Sequence, residues 1–374
     1  MRYFLELCVL SVQNAIQNID AEIIVIDNNS QDDSCEMMKQ RFPNVKLIEN
    51  KENLGFPKGN NIGVSQAKGE YICILNPDTV VAEDTFTKVL AFAKKQNDLG
   101  IIGCKLIDGT GNFLPESKRG TPTPFVAFTK ITGLYKIFPQ TFGKYYAQHL
   151  AENESGKVEI LVGAFMLMKR DLYNEIDGFD ENCFMYSDDI DLSYMALKKG
   201  KSNYYFHETS VIHYKGESTI RDGIYMKRNQ QAMNFFFKKH FRVSFFFTVF
   251  MKMGIVFFSL VKMFQGKSSR GFGTKSNPDH YILVSSPETS REILREKLEN
   301  QLGKTVEIED EKFSFLKNSN TEIIFDQNYL DFKSIINALE ANKNKGFTFK
   351  IIPKSSHFML GSNSSFDRGE VVKI

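Results

Sequence analysis

Three carboxylates fall within four residues, Asp188, Asp189 and Asp191, just after the aromatic stretch Phe184–Met185–Tyr186. Their spacing reads as the start of a helix running to about Lys199, and a helix N-terminus accommodates one or two anions. Three beside an aromatic approach point further, to a general base held near a cation. Asp78 stands where the apolar run Tyr71–Leu75 stops, in Asn76–Pro77–Asp78. Such a run suits a strand buried on both faces of a parallel sheet, and ligands of such sheets bind beyond the strands' carboxyl ends. Asp78 could therefore hold a divalent cation against a phosphate-bearing ligand, although Asn-Pro-Asp is also good turn chemistry. His213 ends the short apolar run Ser210–Ile212. Neutral imidazole is a competent metal ligand, and a lone histidine is also an ordinary surface or core residue.

The elements around these residues alternate between strand and helix. Glu22–Asp27 is a predicted strand ending on Asp27, and the polar cluster Asp27–Ser34 opens a predicted helix over about 35–41. Its Ser, Asp and Asn residues suit N-caps and could also receive a nucleobase or ribose. Val45–Ile48 is a third strand, leading into Asn53–Leu54–Gly55–Phe56–Pro57–Lys58–Gly59–Asn60–Asn61–Ile62–Gly63. This reads as a loop followed by a helix to about Lys68. Its glycines meet backbone requirements alone, or they let the backbone approach a pyrophosphate whose charge Lys58 and the helix start would meet. The spacing is neither that of the P-loop nor that of the dinucleotide fingerprint. A helix over about 83–95 and a strand at Gly100–Lys105 complete this half. The irregular segment Gly109–Gly156 reads as a lid, an acceptor-binding loop or a plain insertion. Lys157–Met168 then forms strand, turn and strand, with Gly163 where a bulky side chain would block a ligand.

With 374 residues, 42% of them hydrophobic, the chain has material for two or three domains. A net charge of +2 gives no average attraction for nucleic acid or for an acidic partner. The five cysteines (Cys8, Cys35, Cys73, Cys104, Cys183) never form CxxC, which fits reduced thiols better than a disulfide frame or zinc site. No secretory signal is recognisable at Met1–Glu6. Tyr3–Ile16 reads as an amphipathic helix, whereas a doubly wound domain ordinarily opens with a strand.

After the aromatic and basic stretch at 221–240 comes Val243–Phe264, 22 mostly apolar residues interrupted by Lys252 and Lys262. Length permits a membrane span, the central lysine favours a helix lying in the interface, and a helix packed on the protein is the third reading. A Gly/Ser-rich linker follows. Strands at Tyr281–Ser285, Thr305–Ile308, Glu322–Phe325 and Phe347–Ile352, with helices near 290–301 and 332–342, make a small α/β domain suited to docking or scaffolding. The division is thus 1–240, 241–265, 266–280 and 281–374.

Six motifs carry a resemblance. Asp27–Asn28–Asn29–Ser30, Asn53–Phe56 with Gly59–Gly63, Leu75–Asp78, Gly178–Phe179–Asp180–Glu181, Asp188–Leu192 and His213 follow in the order seen in family 2 glycosyltransferases, specifically the rhamnosyltransferase-like branch. The resemblance implies a GT-A fold, α/β and Rossmann-like, a nucleotide-sugar donor, Mg²⁺ or Mn²⁺ as cofactor, and inversion at the anomeric carbon. It assigns Asp78 to the metal, with His213 as an additional metal or diphosphate ligand. It assigns Asp27 to the donor nucleotide, with Asn29, Asn53, Gly55, Lys58, Asn60 and Asn76 on the same donor side. Asp189 is the expected catalytic base, and Asp188, Asp191 and Gly163 support the acceptor side. The implied partners are dTDP-rhamnose or a similar donor, a polyprenyl-diphosphate-linked glycan acceptor and the inner surface of the cell membrane. Two departures stand out. Asp188 replaces the family's usual glutamate, and the family's opening strand is missing before the first helix, so either the true start lies upstream or this is a truncated, catalytically silent binding or scaffold protein. The stretch 350–362 also resembles the accessory domain of polyprenyl-phosphate sugar phosphotransferases.

Overall fold

The computed structural model describes residues 1–123, 126, 146–183, 187–215, 223–241, 278–286, 289–309, 320–363 and 369–374. Helix α1 (Arg2–Ala15) buries Leu7, Cys8 and Val9. Strands β1 (Ile24–Asp27) and β2 (Lys46–Glu49), joined through α2 (Ser34–Arg41), pair in parallel as a two-stranded sheet of their own. The glycine-rich stretch, expected as a loop, is instead helix α3 (Gly55–Ser65). A Cβ on Gly59 would come within 3.0 Å of Asn28, and one on Gly63 within 3.2 Å of Ile26. These glycines therefore let α3 lie close on β1, which offsets their poor helix propensity. Of Gly55, Gly59 and Gly63, only Gly55, with φ +80°, uses the left-handed freedom of glycine.

The main sheet takes β3 (Tyr71–Leu75), β4 (Thr79–Val80), β5 (Leu99–Ile107), β6 (Gly156–Val158), β7 (Phe165–Lys169) and β8 (Ser202–His213). Its order is β3-β7-β5-β8-β4, with β6 on β8. Helices α4 (Thr85–Ala93), α5 (Arg170–Glu175), α6 (Asp188–Lys198) and α7 (Gly223–His240) complete this part. β3 pairs antiparallel with β7 and its burial alternates, so it is not the doubly buried parallel strand that its apolar run suggests. Among the described residues β1 pairs only with β2 and β3 only with β7. Among the described residues the two sheets are joined through helices, with α1 packed on both β4 and α2.

Beyond residue 278 lie β9 (His280–Val284), α8 (Thr289–Leu302), β10 (Val306–Glu309), β11 (Thr321–Asp326), α9 (Phe332–Asn342), β12 (Phe347–Ile352), β13 (Phe358–Ser362) and β14 (Glu370–Lys373). The first four strands run parallel and the last two antiparallel, in the order β10-β9-β11-β12-β13-β14. This sheet does not keep its core to itself. Val80, Ile107, Ile212 and Tyr214 pack in one buried cluster with Ile282, Phe325, Phe349 and Leu360. Glu83 accepts from Phe332 N at 2.8 Å and Lys333 N at 2.9 Å, capping α9 across the seam. Lys333–Asp84 (2.7 Å) and Lys105–Glu340 (2.9 Å) flank that cap.

Among the described residues no helix is long and apolar enough to cross a membrane. The apolar segment 243–264 and most of the 266–280 linker lie outside the described residues. None of the five cysteines forms a disulfide.

Candidate functional site

A single strand register assembles the site. Leu75, the last residue of β3, pairs with Phe165, the first of β7. One step on, Asn76 N donates to Ala164 O at 3.1 Å. Gly163 N in turn donates to Asp189 Oδ2 at 3.1 Å. Asp78 and Asp189, 111 residues apart in sequence, therefore belong to the same rim of the main sheet.

On the Asp78 side, Thr79 pairs with His213 across β4 and β8, and Tyr214 N donates to Asp78 O at 2.9 Å. His213 Nε2 lies 3.5 Å from Asp78 Oδ1 and 3.5 Å from Asn76 Nδ2. His213 is 8% exposed and Asp78 6%. The other ring nitrogen, Nδ1, is buried without a hydrogen-bond partner among the described residues. Oxygen and imidazole donors already converging suit a divalent first-row cation, so Asp78 and His213 fit the implied metal. Among the described residues no three His, Cys, Asp or Glu side chains cluster as a metal-binding group. The turn reading of Asn-Pro-Asp is also satisfied, since Thr79 Oγ1 donates to Asn76 O at 2.7 Å. Behind it, burial pushes the Cys8 thiol up to about 12, so Cys8 is packing rather than nucleophile.

On the Asp189 side, α6 carries Asp188, Asp189 and Asp191 in its first turn, all three buried. Asp189 Oδ2 accepts from Gly163 N and also from Arg119 Nη2, at 2.6 Å. Oδ1 makes no hydrogen bond among the described residues. Arg119 also donates to Leu161 O at 3.0 Å, and its backbone exchanges two 2.9 Å bonds with Ile160. Sequence reasoning missed Arg119, which lies in the aperiodic segment; its only signal is a lone arginine between Lys118 and Gly120. Asp191 points the other way, toward α7. Its Oδ2 accepts from Lys239 at 2.8 Å and its Oδ1 from His240 Nε2 at 2.5 Å. Both oxygens are thus engaged by α7.

The donor-side residues gather where β1 and β2 end. Asp27 accepts from Ser30 N at 3.1 Å, and Asn29 adopts φ 62°. Asn28, another residue not singled out, donates to Gly55 O at 3.0 Å and accepts from Asn50 at 2.9 Å. Asn53 Oδ1 holds Gly55 N at 3.0 Å, and Lys58 is exposed on α3. Asn60 instead donates to Phe56 O of its own helix at 2.9 Å. The Gly178–Glu181 motif is a clamp on α3, because Asn61 bonds both the N–H and the carbonyl of Phe179.

This geometry can be set beside known proteins. Residues 3–177 match the glycosyl transferase family 2 profile. They are a family 2 glycosyltransferase domain. The N-acetylglucosaminyl-diphospho-decaprenol L-rhamnosyltransferase of Mycobacterium tuberculosis is 27% identical over 212 residues, covering 54% of this chain and 68% of that protein. The rhamnosyltransferase WbbL of Escherichia coli K12 is 22% identical over 214 residues, covering 54% of this chain and 78% of that one. Among solved structures, the mannosyltransferase PcManGT of Pyrobaculum calidifontis, determined with GDP-Man and Mn²⁺, is similar at 19% identity and a TM-score of 0.45. That likeness covers 65% of this chain and 62% of the mannosyltransferase.

Proposed function

We propose that this family 2 glycosyltransferase moves L-rhamnose from dTDP-rhamnose, with inversion, to a polyprenyl-diphosphate-linked glycan at the inner face of the cell membrane. The observation that carries the mechanism is the bonded path from Asn76 through Ala164 and Gly163 to Asp189, which sets a carboxylate with one unbonded oxygen on the rim that holds Asp78 and His213. Asp189 Oδ1 takes the acceptor hydroxyl's proton as that oxygen attacks the anomeric carbon. The sugar–phosphate bond breaks on the opposite face, and the nucleoside diphosphate leaves with the bonding pair. Arg119 and Gly163 N hold the second carboxylate oxygen, so the base keeps one orientation. Asp78 and His213 would hold the Mg²⁺ or Mn²⁺, which would supply charge neutralisation for the leaving diphosphate. Asp27 and the asparagines at the β1 and β2 ends receive the nucleoside. The L-rhamnose follows the names of the two rhamnosyltransferase relatives and the lipid-diphosphate acceptor that of the mycobacterial one, while the dTDP carrier follows the branch resemblance.

The test is titration of dTDP- and UDP-sugars with and without Mn²⁺, followed by transfer assays with Asp189→Asn. The reading expects donor binding that Mn²⁺ strengthens, and loss of transfer with donor binding kept in the variant. Absence of nucleotide binding under every condition overturns it. A second reading, a silent nucleotide-sugar-binding protein, is favoured by the separation of β1–β2 from the main sheet. It expects binding without turnover in the unaltered protein.

A further inference from the structure

We propose that His240 is a positioning residue for Asp189, acting through Asp191, and that α7 is the wall against which the base is set. The inference rests on Asp189 being the base. Asp189 and Asp191 lie two residues apart on the first turn of α6, about 200° around the helix, so they point to opposite sides. One side carries Gly163 N and Arg119 on Asp189. The other is closed by the last turn of α7, where His240 Nε2 and Lys239 Nζ take one oxygen each of Asp191.

The closure is built rather than incidental. The His240 side chain is 1% exposed and that of Asp191 2%. Lys198, at the far end of α6, donates to His240 Nδ1 at 3.0 Å. A nitrogen that accepts from an ammonium carries no proton, so Nε2 is the protonated nitrogen and donates to Asp191. Two residues of α6 thus fix the ring's tautomer as well as its place. The ring also meets Tyr194 and Phe236, with centroids 4.8 and 4.9 Å away. Lys239 reaches on to Asp180 at 2.7 Å, joining the Gly178–Glu181 motif to the same clasp.

A second path leads from α7 to the same carboxylate. Phe236 and Phe237 pack in one buried cluster with Ile190, the neighbour of Asp189, and with Ile160. Ile160 is the residue whose backbone pairs with Arg119. Displacing α7 therefore moves the helix that carries Asp189 and the Ile160 bridge that seats its arginine. A carboxylate misplaced by about 1 Å can lose on the order of a hundredfold in rate without contact to the change.

The test compares His240→Ala with His240→Gln in the full chain. The glutamine amide can donate to Asp191 much as the ring Nε2 does. Two readouts are taken: amide hydrogen exchange at Gly163, whose N–H is held by Asp189, and transfer from dTDP-rhamnose to an N-acetylglucosaminyl-diphospho-polyprenol with Mn²⁺. His240→Ala is expected to speed exchange at Gly163 and lower kcat, each by about tenfold or more, with the donor KM unchanged. His240→Gln is expected to restore both. Lys239→Met, which removes a half-exposed side chain and one of Asp191's partners, shifts both in the same direction by less and serves if His240→Ala does not fold. Unchanged exchange and unchanged kcat in both His240→Ala and Lys239→Met overturn the proposal. If the unaltered protein does not turn over this donor and acceptor, the substrate reading fails while the exchange comparison still decides the positioning role.

Discussion

Arg119 Nη2 and Gly163 N both donate to Asp189 Oδ2, at 2.6 and 3.1 Å, and leave Oδ1 without a hydrogen bond among the described residues. Arg119→Ala removes the side-chain donor that, among the described residues, orients the carboxylate. The expected result is a fall in kcat on the order of a hundredfold with donor affinity kept. Arg119→Lys recovers only part of this, because a mobile ammonium lacks the fixed planar geometry in which Nη2 donates to both Asp189 and Leu161 O. Steady-state kinetics beside donor titration check both statements.

Asp78 and His213 answer for the cation. Asp78→Asn and His213→Ala are each expected to weaken Mn²⁺ binding by at least the roughly 10–100-fold that losing even a supporting partner costs. Titration of Mn²⁺ by calorimetry or spin resonance measures this directly. Thr79 keeps its bond to Asn76 O in both variants, so the turn survives and thermal unfolding stays close to that of the parent.

Glu83 is tested through stability rather than rate. Glu83→Ala leaves the first two N–H groups of α9 without their carboxylate and should cost about 1–2 kcal/mol in denaturant unfolding. Glu83→Gln, which keeps one acceptor oxygen, should cost less. Because Val80 and Ile212 share a core with Phe325 and Phe349, both parts of the chain should unfold in one transition, followed by probes in either.

Asp84 gives the seam a pH dependence. Burial alone raises its pKa, but Lys333 and Lys88 outweigh burial, and the carboxyl is held below its ordinary value. A group with a depressed folded pKa contributes stability that is present above the unfolded value, near 3.9, and is lost as pH falls through the folded value. Unfolding measured from pH 6 down to pH 3 should therefore show an acid loss that is smaller in Asp84→Asn. Equal losses in both proteins would remove Asp84 from this role.

Much of the rim was legible in the sequence because its residues sit at element ends: Asp78 after an apolar run, Asp189 at a helix start, His213 closing a strand. What stayed hidden depends on distance or on rules that packing overrides. α3 was misread because three glycines argue against a helix, while close contact with Asn28 and Ile26 requires them. Asp191 could not be told from Asp189 without knowing which side of α6 meets α7. Arg119 lies in a segment with no periodicity to place it, and its partner is 70 residues away. β13 and β14 escaped notice because a short strand containing Gly361 has no distinctive pattern, and the Gly361 backbone packs against Phe349 O.

The cap that Glu83 places on α9 joins residues 249 positions apart in sequence, which has a consequence for how the chain is made. During synthesis the apolar back of β4 and β8, Val80 and Ile212 included, emerges well before Phe349 and Leu360 exist to cover it. At ordinary elongation rates that surface stays bare for on the order of ten seconds, and contacts of such long separation form late. Until β12 and β13 leave the ribosome the newborn chain carries this apolar surface bare, and the same strand pair that presents Asp78 and His213 acquires its final cover only then.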